Sequence, residues 1–443
     1  MRSESKRNVL IIANLFHASP RIPGLTHYLQ DFGWKVTIIT PPLGNDAENL
    51  FGFPKGFMDG VKILEAPYSG DIFWYWRKIF AHLGYKMNES ITEQIKETIG
   101  STSKRSFVDI VMNWYQTIFA YPDTERTWRQ PALKTAIDIL KKEHFDAILS
   151  SSPFPTSHLV ASKLKKRFGL PWLADFRDLW SLNHNYPFSS IRKRFDKRLE
   201  VATLRGVDAI TTVSDDLADK LGTLHTVPVA VIRNGFWDEP TQMGKPLLPD
   251  EFTLTYTGSI YTGKQDIEKP LSALAGLIRK GIIDPTRFKL MIYGPKRVWL
   301  QPLIERKGLR KTVFWCGMVT RPVSLEVQRR AYLLLLLDWE DPAEKGVYTT
   351  KLFEYLAAGR PILCTGGFSG SCAHALIDET KSGRWALLPE QIETVLKDYY
   401  QEYLTTGTVS FKGDKKKIKQ YSFSNSAREL ASLFERYADD ERT

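Results

Sequence analysis

Short apolar, β-branched runs alternate with longer stretches of helical periodicity along most of the chain. The first run, residues 8–13, suits a parallel strand buried on both faces. A helix over 25–32 and a strand over 33–40, stopped by Pro41 and Pro42, complete a βαβ unit. Residues 67–129 interrupt the alternation. It resumes with a helix over 131–142, a strand over 146–150, a helix over 156–168, a strand over 171–175, a helix over 191–204 and a strand over 208–213. Ser214 and Asp215 are cap residues for the next helix. Residues 229–233 close this half at Asn234-Gly235, a turn signal.

Residues 236–251 are rich in Pro, Gly and polar side chains without periodicity, and read as a linker. A second alternating set follows, with strands over 252–257, 288–293, 313–316, 332–337 and 361–364. The pattern predicts an α/β protein of two Rossmann-like, doubly wound parallel-sheet domains. Residues 1–235 form the first, with an insertion at about 67–129. After the linker, 252–420 form the second, and 421–443 hold a last helix. Ligands of such sheets bind beyond the carboxyl ends of the strands, so the expected active site lies in a cleft between the domains.

Composition narrows the chemistry. The 443 residues are 43% hydrophobic and 25% charged, which excludes disordered and fibrous classes. Three cysteines cannot build a disulfide framework and show no metal-ligand spacing. No secretory signal is read, and the longest apolar run, 331–337, falls far short of the ~20 residues of a spanning helix. The loop over 14–23 lacks G-x-G-x-x-G, which argues against a nicotinamide dehydrogenase. The net charge is +11, a weak pointer to anionic partners or interfaces. Trp74, Trp76, Arg77 and Lys78 in the insertion suit an interfacial helix. Arg192, Lys193, Arg194, Lys197 and Arg198 form a second basic cluster. At ~1 kcal/mol per basic side chain, the two could hold the protein on an anionic membrane, with a solvated face as the alternative. The run Lys415 to Lys417 reads as a solvated loop.

Several segments carry candidate chemistry. Residues 349–361 (TTKLFEYLAAGRP) follow a buried strand and open a helix, whose first-turn N–H groups and dipole suit a diphosphate. Lys351 adds a full charge there, and Glu354 lies one turn on, with a plain surface pair between the two as the bland reading. Gly258 and Ser259 end the second domain's first strand, where glycine permits close approach to a ligand, and Lys264 follows in the loop. Asp175, Arg177 and Asp178 end a first-domain strand; an internal ion pair is favoured for Asp175. His158 reads as a structural histidine.

These segments (175–180, 207–214, 232–235, 255–259 with Lys264, and 349–361) resemble in order and spacing the GT-B-fold glycosyltransferases of family 4, over nearly the whole chain. The resemblance implies transfer of a sugar from a nucleoside-diphosphate sugar to an acceptor hydroxyl, with retention and with no obligatory cofactor or metal. It implies donor binding by Gly258, Ser259, Thr349, Thr350 and Glu354, the last on the ribose hydroxyls. Lys264, Lys351 and Asp178 become the catalytic candidates, with Lys264 neutralising the departing diphosphate. Arg21 and Arg177 become acceptor or sugar contacts. The position that carries an upstream glutamate in many members is Gly346 here, with Glu344 two residues earlier. A cytoplasmic enzyme of polysaccharide or other glycoconjugate biosynthesis follows, at the inner face of the membrane where the acceptor is lipid-linked. The rival expectations are a nucleotide-sugar 2-epimerase and a non-catalytic nucleotide- or carbohydrate-binding protein. Nucleic-acid binding has no recognisable module behind it.

Overall fold

The computed structural model describes residues 7–17, 19–43, 53, 55–68, 121–183, 186, 188–238 and 246–440. The aromatic-basic positions 73–119 of the insertion lie outside them. The chain divides into two compact units, one built from 1–48, 54–233 and 426–443 and the other from 49–53 and 234–425.

The first unit holds a sheet of β1 (Arg7–Ile12), β2 (Trp34–Thr40), β3 (Lys62–Glu65), β4 (Ala147–Ser151), β5 (Trp172–Phe176), β6 (Ala209–Thr212) and β7 (Val229–Val231). The strands are parallel, in the order β3-β2-β1-β4-β5-β6-β7. The central strands β1, β4 and β5 are almost wholly buried, as the unbroken apolar runs require. Trp128, Trp172 and Phe176 fill the core on one side of the sheet. The last helix, Phe423–Asp440, packs Phe434 on Trp34 with ring centres 5.0 Å apart.

The second unit holds β8 (Phe252–Thr257), β9 (Phe288–Tyr293), β10 (Val313–Gly317), β11 (Leu333–Leu337), β12 (Ile362–Thr365) and β13 (Gly383–Ala386). These strands are also parallel, in the order β10-β9-β8-β11-β12-β13. The five leucines of β11 are at most 1% exposed. Leu333, Leu335 and Leu337 enter one core and Leu334 and Leu336 the other, so the strand is covered on both faces.

Three local differences from the pattern have simple causes. Strands β3 and β13 are absent from the sequence reading because both are edge strands, short and carrying Lys62, Glu65 and Arg384 instead of an apolar run. The first helix is Arg21–Leu29, starting four residues early, because Pro23 is tolerated in a first turn and does not mark a loop. Residues 415–419 form a short helix, Lys415–Lys419, because Asp414 accepts from the N–H groups of Lys416 and Lys417 at its start.

Gly383 gives a direct test of the β12–β13 register. A Cβ there would lie 2.0 Å from the Ile362 carbonyl oxygen, a backbone atom that cannot swing aside. We expect Gly383→Ala to cost about 1–3 kcal/mol in urea unfolding. Gly206→Ala, where a Cβ meets nothing within 4 Å, should stay within about 0.5 kcal/mol of the parent.

Candidate functional site at the carboxyl edges of the sheets

In the second unit the loops after β8 and β11 and the helix Thr350–Ala358 converge on one sheet edge. The chain leaves β8 through Gly258, whose φ of +112° is open to glycine alone. A side chain there would meet the Lys351 ammonium at 3.1 Å, so Gly258 and Lys351 are in contact. The Lys351 Nζ donates to the Tyr256 hydroxyl at 2.7 Å and sits 4.4 Å from the centre of that ring. Tyr256, fully buried, in turn donates to the Ser259 carbonyl at 2.7 Å. Burial of the amine pushes its pKa down to about 7, against the opposing pull of Glu354.

Glu354 does not pair with Lys351. Its Oε1 lies 2.8 Å from the Arg321 guanidinium, and its Oε2 accepts from the Gln328 amide at 2.9 Å. Gln328, fully buried, also donates to the Thr257 hydroxyl at 3.0 Å. Tyr355 closes the same corner, its hydroxyl accepting from the Thr257 N–H at 3.1 Å. The carboxylate is thus aimed by two residues of the helix Arg321–Arg329. Thr349, the cap residue of Thr350–Ala358, makes no side-chain cap bond, and no acidic residue lies in that helix's first turn. A carboxylate with free lone pairs stands beside an amine near neutrality and a helix start without a side-chain cap. That set suits a ligand bearing hydroxyls and phosphate.

Lys264 reaches the same edge in a different state. Its ammonium lies 2.9 Å from Oε1 of Glu344, a carboxylate that is 1% exposed. The Lys264 carbonyl accepts from the Glu340 N–H at 2.9 Å, tying the two loops by their backbones. Glu344 is therefore the partner of Lys264. Asp338, at the end of β11, accepts from the Ser371 hydroxyl at 2.6 Å, and burial raises its pKa. Among the described residues no group of three His, Cys, Asp or Glu side chains gathers as a metal centre would.

In the first unit Arg21 lies inside. It is 1% exposed, and it donates twice to Asp175, from Nη2 at 2.7 Å and from Nε at 3.1 Å. Asp175 also accepts from Ser151 at 2.7 Å and Thr211 at 2.8 Å. Burial alone would raise the Asp175 pKa. The Arg21 charge and these hydrogen bonds outweigh it and hold the carboxyl below its ordinary value. Arg21 is an internal counter-ion, because its helix begins early enough to turn it inward. Arg177 and Asp178 do lie at the end of β5, paired at 3.2 Å, with Asp178 half-exposed and Arg177 also donating to the His17 carbonyl at 2.9 Å. His158 is 1% exposed, hydrogen-bonded to Ser150 at 2.8 Å and stacked on Phe176. Burial drives its pKa down to about 3, so it stays neutral.

Tyr256, Arg321, Gln328 and Tyr355 are the residues the sequence reading missed. Tyr256 and Tyr355 lie inside segments 255–259 and 349–361 without having been singled out there, whereas Arg321 and Gln328 sit in no recognisable motif. For Arg321 and Gln328 the available signal was polarity on the helix that follows β10.

Both sheets, with their strand orders, have the architecture of known two-domain proteins. The chain has the GT-B fold. A model described as Glycosyltransferase Family 4 matches residues 104–237. The fold is shared with the sucrose-phosphate synthase of Thermosynechococcus elongatus at 12% identity and a TM-score of 0.55, covering 97% of this chain and 98% of that one. The Anabaena protein HepE, solved with UDP and glucose, gives 11% identity and a TM-score of 0.59 over 97% of this chain and 100% of that one. A Listeria monocytogenes protein described as a UDP-N-acetylglucosamine 2-epimerase gives 10% identity and a TM-score of 0.52 over 99% and 98%. At such identities the GT-B likeness speaks for the fold. No curated protein matches the chain by sequence.

The Arg21–Asp175 pair is measurable. Arg21→Met leaves the Asp175 carboxylate buried without its counter-charge. We expect it to cost about 3–5 kcal/mol in denaturant unfolding.

Proposed function

We propose that the chain is a glycosyltransferase that moves a sugar from a nucleoside-diphosphate sugar to an acceptor hydroxyl, with retention. The observation that supports this most is the convergence at one sheet edge of Lys351, the start of Thr350–Ala358 and the clamped carboxylate of Glu354. In this reading Glu354 accepts the ribose hydroxyls on lone pairs that Arg321 and Gln328 leave free. Thr349, Thr350, Gly258 and Ser259 surround the diphosphate with backbone donors and room. Lys351 and Lys264 then meet the negative charge that grows on the diphosphate as the glycosidic bond breaks. Asp178 and Arg177, at the end of β5, serve the acceptor or the sugar. The acceptor is a glycan or a lipid-linked precursor of polysaccharide or another glycoconjugate, and the reaction runs in the cytoplasm. No cofactor beyond the nucleotide sugar enters the scheme.

The test is calorimetric titration with a nucleoside diphosphate beside transfer kinetics. Glu354→Gln should weaken nucleotide binding by about 1.5–3 kcal/mol, the range for a hydrogen bond to a charged group. Lys264→Ala and Lys351→Ala should lower turnover more than donor affinity. Wild-type turnover in both would remove the proposed leaving-group site. Product analysis with and without acceptor separates transfer from 2-epimerisation.

The amine of Lys351 adds a pH signature. Below about 7 it is charged before the ligand arrives. Above that value an anion must draw in a proton as it binds, so affinity should fall as pH rises, by up to about tenfold per unit. Lys351→Met should flatten this dependence, and an unchanged slope would place the titrating group elsewhere.

A further inference from the structure

The helix Ser190–Leu204 sorts its charges by sign. Its two acidic residues point inward, Asp196 at 1% and Glu200 at 0% exposure. Asp196 takes Arg192, 4% exposed, at 3.6 Å and the hydroxyl of Tyr186. Glu200 takes the Ser181 N–H at 2.9 Å and His225 at 3.2 Å. Arg192 is therefore an interior residue, its guanidinium 3.5 Å from the centre of the Phe188 ring, and it leaves the basic cluster that the sequence suggested.

The outward face carries no acid. Arg194, Lys197, Arg198 and Arg205 stand exposed on it and line a shallow depression of about 420 Å³ together with Val201 and Ala202. Beside them Ile191 and Phe195, one turn apart, are 69% and 54% exposed, and Val201 is 36% exposed. Among the described residues of the first unit, these three are the large apolar side chains left in solvent.

We infer that this face docks on an anionic lipid surface, with Ile191 and Phe195 entering the headgroup region and the four cations meeting lipid phosphates. The chemistry selects lipid over an acidic protein. Two adjacent, strongly exposed apolar side chains flanked by long basic ones are what an interfacial helix presents. Basic side chains can lay their stems along the apolar boundary and keep their heads at the phosphates. Segregation matters as much as count. An acid on the outer face would be repelled by the leaflet, and here both acids are turned inside. The inference stands independently of the transferase reading.

Co-sedimentation of the full chain with vesicles tests it. Vesicles of phosphatidylcholine mixed with phosphatidylglycerol should bind the protein, with affinity falling steeply as salt rises. Vesicles of phosphatidylcholine alone should bind it far less. Arg194→Gln/Lys197→Gln/Arg198→Gln should weaken binding roughly 100-fold, at ~1 kcal/mol per charge removed. Ile191→Ser/Phe195→Ser should weaken it roughly tenfold or more. Lys163→Gln/Lys166→Gln/Arg167→Gln, which removes the same charge from the helix Pro155–Phe168, should stay within about threefold. Native melting temperatures establish that each variant is folded. Equal loss in the two charge variants would reduce the effect to net charge and overturn the proposal. So would absence of binding at low salt, or a dimer of the parent that Ile191→Ser/Phe195→Ser dissociates.

Discussion

A parallel strand covered on both faces has nowhere to place a polar group except at its ends, and this chain is organised around that constraint. β11 is the extreme case, five leucines with no polar side chain until Asp338. The crossover helices fill both sides of each sheet, so the polar chemistry of the second unit is pushed to the carboxyl edge. There the loops after β8 and β11 are held by a backbone bond between Lys264 and Glu340. The helix Thr350–Ala358 is held by Lys351 against Tyr256 and by Tyr355 against Thr257. The edge is thus a rigid polar cluster assembled from segments about ninety residues apart.

Within that cluster each charge has a different partner, and the differences decide what each can do. Lys264 is matched by a buried carboxylate, so its positive charge is largely answered within the protein. Lys351 leans on a phenol and an aromatic face, which bind an ammonium less strongly than a carboxylate does. Burial then tells, and the amine's pKa falls to about 7. Glu354 has a guanidinium and an amide, which orient it and leave lone pairs to spare. A single edge therefore offers an answered cation, an unanswered amine and an aimed acceptor.

The interior strands were legible in the sequence because burial on two faces leaves an unmistakable apolar run. The edge strands β3 and β13 were not, since both are short and carry charge, whereas the apolar edges β7 and β10 could be read. At the candidate site the motif residues Gly258, Lys264, Lys351 and Glu354 could be picked out, because glycine, lysine and glutamate at strand and helix ends are conspicuous. Their partners could not. Gln328 and Tyr256 become meaningful through contacts 26 and 95 residues away, and sequence spacing carries no trace of such pairs. Arg21 shows the opposite failure. A basic residue beside Pro and Gly reads as a loop cation, yet a helix beginning at that residue turns it into the core.

The sorting of charge in Ser190–Leu204 also bears on how the molecule travels. A net charge of +11 spread evenly over a surface would attract any anionic body without preference for which side arrives first. Here Arg194, Lys197, Arg198 and Arg205 share one helical arc and its vicinity, with the helix's two acids turned inside. Cations gathered on one side of a unit and off its centre give their field a preferred direction. In a field that arrangement produces a torque as well as a pull. In the docking proposed for this face, that direction would act within a Debye length of about 8 Å at physiological salt and turn Ile191 and Phe195 toward the surface before contact.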